Sequence, residues 1–139
     1  MTQSTTKTVY TAKVHTIGGR DKGEARSSDG RLDIRLSVPG GPGTGTNPEQ
    51  LMAAGWSACF EGAIMLVARE KKVRIEHLAI DAEIDLNQGS DGYSLGARLN
   101  VSLPDIDRKL AQELVDGAHE ICPYSKALKG KIGIATTIV

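Results

Sequence analysis

Residues 47–72 read NPEQLMAAGWSACFEGAIMLVAREKK, and this stretch decides the fold. Asn47 can cap a helix, Pro48 suits the first helical position, and Gln50 stands three after Asn47. The helix is expected to run to about Lys72. From Leu51 to Ala68 it is apolar on nearly every side, with one narrow polar stripe of Gln50, Ser57 and Glu61. A helix of that kind is buried. In a chain of 139 residues one sheet covers only one of its sides, so a second helix or a second subunit must cover the rest. The folded unit is therefore expected to be two chains.

The flanks supply the sheets. Residues 1–8 are polar and expected to fray. Val9–Ile17 alternates loosely as a strand, Gly18-Gly19 interrupts it, and Gly23–Arg26 is a weak second strand. Ser27-Ser28-Asp29-Gly30 is a turn, after which Leu32, Ile34 and Leu36 mark a half-buried strand. Residues 39–46, PGGPGTGT, resemble a phosphate loop only superficially, because no Gly-Lys-Ser/Thr follows. A plain connection is expected there. Beyond the helix, Arg74–Leu86 and Tyr93–Leu103 read as long strands around a turn at Asn87–Gly92. Pro104–Asp107 opens a second helix with Leu110, Leu114, Ala118 and Ile121 on its apolar face, and Pro123 ends it. Lys131–Val139 closes the chain as a strand. The order βββ-α-ββ-α-β is α+β, a single domain over residues 1–139 with largely antiparallel pairing.

Composition excludes several function classes. Lys plus Arg is 17 and Asp plus Glu is 17, so the formal charge is zero. Nucleic-acid binding would need a basic surface, and so would docking on anionic membrane. Leu51–Ala68, broken by Ser57 and Glu61, is too short and mixed to be expected as a membrane span. The N-terminus has no apolar core of a secretory signal, and a cytoplasmic protein is expected. Two cysteines are too few for a disulfide scaffold.

Those cysteines are Cys59, in the middle of the long helix, and Cys122, at the end of the second. Three of the five aromatic residues, Trp56, Phe60 and Tyr124, lie within three positions of one of them. Gly55, Gly62 and Ala63 share the face of Cys59. A helix-interior glycine costs about 1 kcal/mol against alanine. Either another backbone approaches closely there, or space is kept beside a thiol for a substrate. Composition favours reading Cys59 and Cys122 as small buried apolar residues, and a redox pair is the sharper alternative. His119 and Cys122 share a face but lack a third clear ligand, so no metal is expected, and no cofactor.

Asn47-Pro48-Glu49-Gln50-Leu51 with Ala53-Ala54-Gly55-Trp56-Ser57-Ala58-Cys59-Phe60 resembles the signature of the organic hydroperoxide resistance proteins of the OsmC/Ohr superfamily. Ile121-Cys122-Pro123-Tyr124-Ser125-Lys126-Ala127 resembles that family's second-cysteine motif, and Gly18-Gly19-Arg20 its glycine-glycine-arginine segment. The three occur in order across essentially the whole chain. The resemblance implies an intertwined α+β homodimer built around a long buried central helix. It implies that Cys59 is the peroxidatic thiol and Cys122 the resolving thiol, with Arg20 and Glu49 as active-site arginine and glutamate. It implies an organic hydroperoxide as substrate and a dihydrolipoyl group on a lipoylated protein as reductant.

Peroxide reduction needs a thiolate, and apolar surroundings raise a thiol's pKa. A cation must reach Cys59; Arg20 stays charged in any surroundings, and Glu49 can hold its guanidinium bidentately. Trp56, Phe60, Tyr124, Gly55 and Gly62 are candidate substrate-binding positions, the aromatic ones as pocket walls or as plain core. Glu49 and Cys59 are ten residues apart, which in one straight helix is about 15 Å along the axis and about 80° around it. If both serve one site, Glu49 acts on the partner subunit's cysteine, or the helix breaks between them. A different class of function for the same pocket is a non-catalytic thiol sensor or an apolar-ligand-binding dimer.

Overall fold

The computed structural model describes residues 5–139, so the first four of the residues expected to fray lie outside it. The described residues form two compact units, one ending at Pro48 and the other spanning residues 49–139. In the first, β1 (Val14–Ile17), β2 (Glu24–Ser27) and β3 (Asp33–Arg35) make an antiparallel sheet in that order. The expected first strand is shorter than its alternation suggested, because residues 9–13 find no ladder partner among the described residues. Between β1 and β2 lies one helical turn, α1 (Gly19–Lys22). Gly18 and Gly19 both have positive φ, +81° and +78°, a pair of conformations that only glycine adopts without strain. Arg20 follows them as the second residue of the turn. The 27–30 turn forms as read: Asp29 Oδ1 accepts from Ser27 Oγ and from the Arg31 backbone N–H. The glycine-rich loop wraps Ser37, whose Oγ accepts from the Gly45 N–H at 2.8 Å.

The second unit is built on α2 (Pro48–Glu70), unbroken over 23 residues. It stops two residues before the expected end, where Lys72 turns to φ +58° and the Val73 N–H bonds back to the Ala68 carbonyl. At this length and composition α2 could cross a bilayer, contrary to expectation. Here Trp56, Phe60, Ala63, Ile64, Val67 and Ala68 instead belong to the unit's hydrophobic core.

β4 (Ala79–Gly89) and β5 (Gly92–Ser102) form an antiparallel hairpin closed by Ser90-Asp91, with Gly92 at φ +104°. β4 begins five residues later than its alternation predicts and runs three further. The inner face of β5 (Ala97, Leu99, Val101) is buried, and on the other face Arg98 bonds Glu83 and Asp85. α3 (Arg108–Ile121) starts where Asp107 caps the Leu110 N–H, later than Pro104. Its buried stripe is Ala111, Leu114, Val115 and Ala118, rotated slightly from the expected face, so Ile121 points outward. Pro123 ends α3 but also starts a helix the sequence did not reveal, α4 (Pro123–Leu128). β6 (Gly133–Ile138) then pairs parallel to β5. The other three pairings are antiparallel; this one is parallel because α3 and α4 carry the chain back along the sheet before β6 begins.

Candidate active site

α2 and α3 bring the two cysteines together. Cys59 sits on α2, and Cys122 is the joint at which α3 ends and α4 begins. Their sulfurs are 3.7 Å apart, both as free thiols, although 63 residues separate them. Cys122 is buried completely and Cys59 partly. Burial pushes the Cys59 thiol above its ordinary value, and the neighbouring Cys122 adds to the rise, while the Tyr124 backbone N–H works against it. The second unit by itself therefore favours the neutral thiol at Cys59.

Tyr124 follows Cys122 by two residues and lies over Gly55: a Cβ added there would stand 2.6 Å from its hydroxyl. Close approach by a side chain is the reason for that helix glycine. Gly62 is different, with nothing within 4 Å of an added Cβ. It belongs to an exposed stripe of α2 with Ala54, Ala58, Met65 and Leu66. Met65 is 51% and Leu66 45% exposed. The long helix is thus buried along one side only by its own unit.

Trp56 and Phe60 are fully buried, so in this chain they are core, and Tyr124, 39% exposed, is the aromatic residue of the three that meets solvent. Trp56 Nε1 donates to Ser125 Oγ, which also lies 3.0 Å from His119 Nδ1. His119 Nε2 is 2.8 Å from Thr136 Oγ1, so both ring nitrogens are engaged with hydroxyls. Phe60 packs on the imidazole with ring centroids 4.4 Å apart. Sequence reasoning left His119 without a role and missed Ser125 and Thr136. No periodicity signals hydrogen bonds between residues 69 apart.

Arg20 lies in the first unit, on α1, with its guanidinium 4.0 Å from Asp21. Glu49 is in the first turn of α2, and the helix does not break before Cys59. The two side chains of one chain therefore stand about 15 Å apart along the axis. Among the described residues one group could offer three metal ligands: Glu76, His77 and Asp105, all exposed, with His77 Nδ1 2.6 Å from Asp105 Oδ2.

Two thiols facing each other across a helix junction, in an α+β unit with a central helix, define a class of redox-capable domain. Residues 39–137 match the model of the OsmC-like protein family. An organic hydroperoxide resistance protein of Xanthomonas axonopodis pv. citri is 42% identical over 95% of this chain and 96% of its own. The crystal structure of the organic hydroperoxide resistance protein OhrB of Bacillus subtilis superposes with a TM-score of 0.90 at 42% identity, covering 95% of this chain and 100% of that one. A related structure from Vibrio cholerae, 34% identical with a TM-score of 0.89, covers 97% of this chain and 95% of its own, and holds captopril in one of its active sites. The chain belongs to the OsmC-like family and, within it, to the organic hydroperoxide resistance proteins.

Proposed function

We propose that this protein is a thiol-dependent peroxidase that reduces organic hydroperoxides to alcohols. The observation that carries the reading is the 3.7 Å approach of Cys59 and Cys122. The Cys59 thiolate attacks one oxygen of the hydroperoxide; the O–O bond breaks, the alkoxide takes a proton and leaves as the alcohol, and Cys59 becomes a sulfenic acid. The Cys122 thiol then attacks that sulfur, forming a disulfide and releasing water. A dihydrolipoyl dithiol on a lipoylated protein reopens the disulfide by exchange. The names of the relatives support the substrate class.

The raised pKa of Cys59 means that a cation must activate it. Arg20 is the proposed cation, held by Glu49. On an unbroken α2, Glu49 serves the cysteine of a second copy of the chain. The exposed stripe of Ala54, Ala58, Met65 and Leu66 supports a homodimer that covers it. The cytoplasm, where thiols stay reduced, is the proposed location.

The test is consumption of cumene hydroperoxide and of hydrogen peroxide with dihydrolipoamide as reductant. Wild type is expected to prefer cumene hydroperoxide, Cys59→Ser to be inactive, and Cys122→Ser to turn over slowly while oxidised Cys59 accumulates. A Cys59→Ser protein as active as wild type refutes the reading. A protein that oxidises once without turning over is a sensor instead.

A further inference from the structure

The two helices that carry the thiols are strapped together by side-chain hydrogen bonds. Trp56 lies one turn before Cys59 on α2, and Ser125 one turn after Cys122 on α4. The Trp56 indole donates to Ser125 Oγ at 3.1 Å, with both residues buried. An indole N–H can only donate, so the Ser125 hydroxyl proton is available to His119 Nδ1. With its proton on Nε2, His119 then donates to Thr136 Oγ1 on β6, 2.8 Å away. A neutral imidazole with its proton on Nε2 serves every member of this chain of bonds. Burial favours the neutral form, against the opposing carboxylates of Asp116 and Glu120.

We propose that His119 is a positioning residue for the thiol pair: by joining Ser125 to Thr136 it anchors the start of α4 to β6 and holds Cys122 beside Cys59. The inference deepens the peroxidase reading and rests on it. Disulfide closure brings the sulfurs from 3.7 Å to about 2.05 Å. That leaves a short movement, provided Cys122 cannot swing away on the Pro123 joint. In closure the S–S bond forms, the S–O bond of the Cys59 sulfenic acid breaks, and the Cys122 proton leaves with the hydroxide as water. His119 touches none of these atoms; it determines how often the sulfurs meet.

The effective concentration of the two thiols reads this directly, without any hydroperoxide. Wild type, His119→Phe, Thr136→Val and Thr136→Ser would be equilibrated in mixtures of oxidised and reduced dithiothreitol. The Cys59–Cys122 disulfide fraction is then counted by thiol trapping and mass spectrometry. Thr136→Val keeps the shape of the side chain and removes only the hydroxyl. The expected result is a shift towards the dithiol of tenfold or more in His119→Phe and Thr136→Val, about 30 mV for a two-electron couple. Thr136→Ser, which keeps the hydroxyl, is expected within threefold of wild type. Variants that match wild type, or that shift towards the disulfide, overturn the inference alone. A wild-type protein that forms no Cys59–Cys122 disulfide under oxidised dithiothreitol overturns the peroxidase reading as well.

Discussion

Gly55→Ala tests whether Tyr124 lies over the Gly55 face of α2. Alanine in place of a helix-interior glycine stabilises by about 1 kcal/mol. Against that, the new methyl would stand 2.6 Å from the Tyr124 hydroxyl and 3.3 Å from its Cζ. To reach ordinary contact at 3.4 Å the hydroxyl must retreat by about 0.8 Å. Tyr124 is 39% exposed, so its ring has room to turn, at a cost of about 0.5–1.5 kcal/mol for a side chain pushed off its rotamer. The two effects nearly cancel, and Gly55→Ala alone is expected to change stability by less than about 0.5 kcal/mol. Tyr124→Phe removes the hydroxyl that causes the clash. In that background the same substitution is expected to stabilise by close to the full ~1 kcal/mol. Urea unfolding of the four proteins at one fixed chain concentration measures this, provided the m-value is unchanged. A coupling energy of at least about 0.5 kcal/mol between the two positions is the expected outcome. Equal effects of Gly55→Ala in both backgrounds would refute the placement of Tyr124 over this glycine.

Gly117→Ala on α3 is expected to destabilise by about 1 kcal/mol despite the gain in helix propensity, because its methyl would press on Val67 Cγ1 at 3.1 Å; denaturant unfolding checks the sign. His119 is held neutral by burial, and Asp116, Glu120 and Lys129 line the cavity beside it. Its folded pKa lies below the ordinary 6.5, so the unfolded chain binds the extra proton first on acidification. Stability is therefore expected to fall as pH drops below about 6.5, and His119→Phe to flatten that decline in unfolding midpoints measured at two pH values. The Arg98 guanidinium holds the Asp85 carboxyl below the usual carboxylate range. Arg98→Met is expected to return its titration midpoint upwards, which carbon-detected NMR of the carboxyl would follow.

The long helix was legible because its cap, its proline and its apolar run all agree within one local window, and it came within two residues of its observed end. The β4–β5 hairpin was legible from alternation. Alternation continues through residues 74–78 without a strand, since a period of two marks alternation of side chains and not the presence of a partner. α4 escaped notice because Pro123 signals the stop of one helix as readily as the start of another. The parallel pairing of β6 depends on where α3 and α4 lead the chain, a property of the crossover and not of the strand's residues. In the site, the two cysteines stood out by their rarity and by the motifs around them. His119, Ser125 and Thr136 did not, because their roles come from hydrogen bonds across two helices and a strand.

The sequence by itself determined that the chain is α+β, that one apolar helix dominates it, and that its two cysteines lie one in that helix and one at the end of the next. Those features are written in short-range periodicity, in caps and in composition. Only the tertiary structure decided that the sulfurs lie 3.7 Å apart and that Tyr124 covers Gly55. It alone decided that Trp56 is a buried donor to Ser125, and that the helix keeps one apolar side uncovered by its own unit. Each of these is a meeting of residues distant in the chain. Such meetings are set by how α2, α3, α4 and the sheet pack together, and a local pattern carries no record of them.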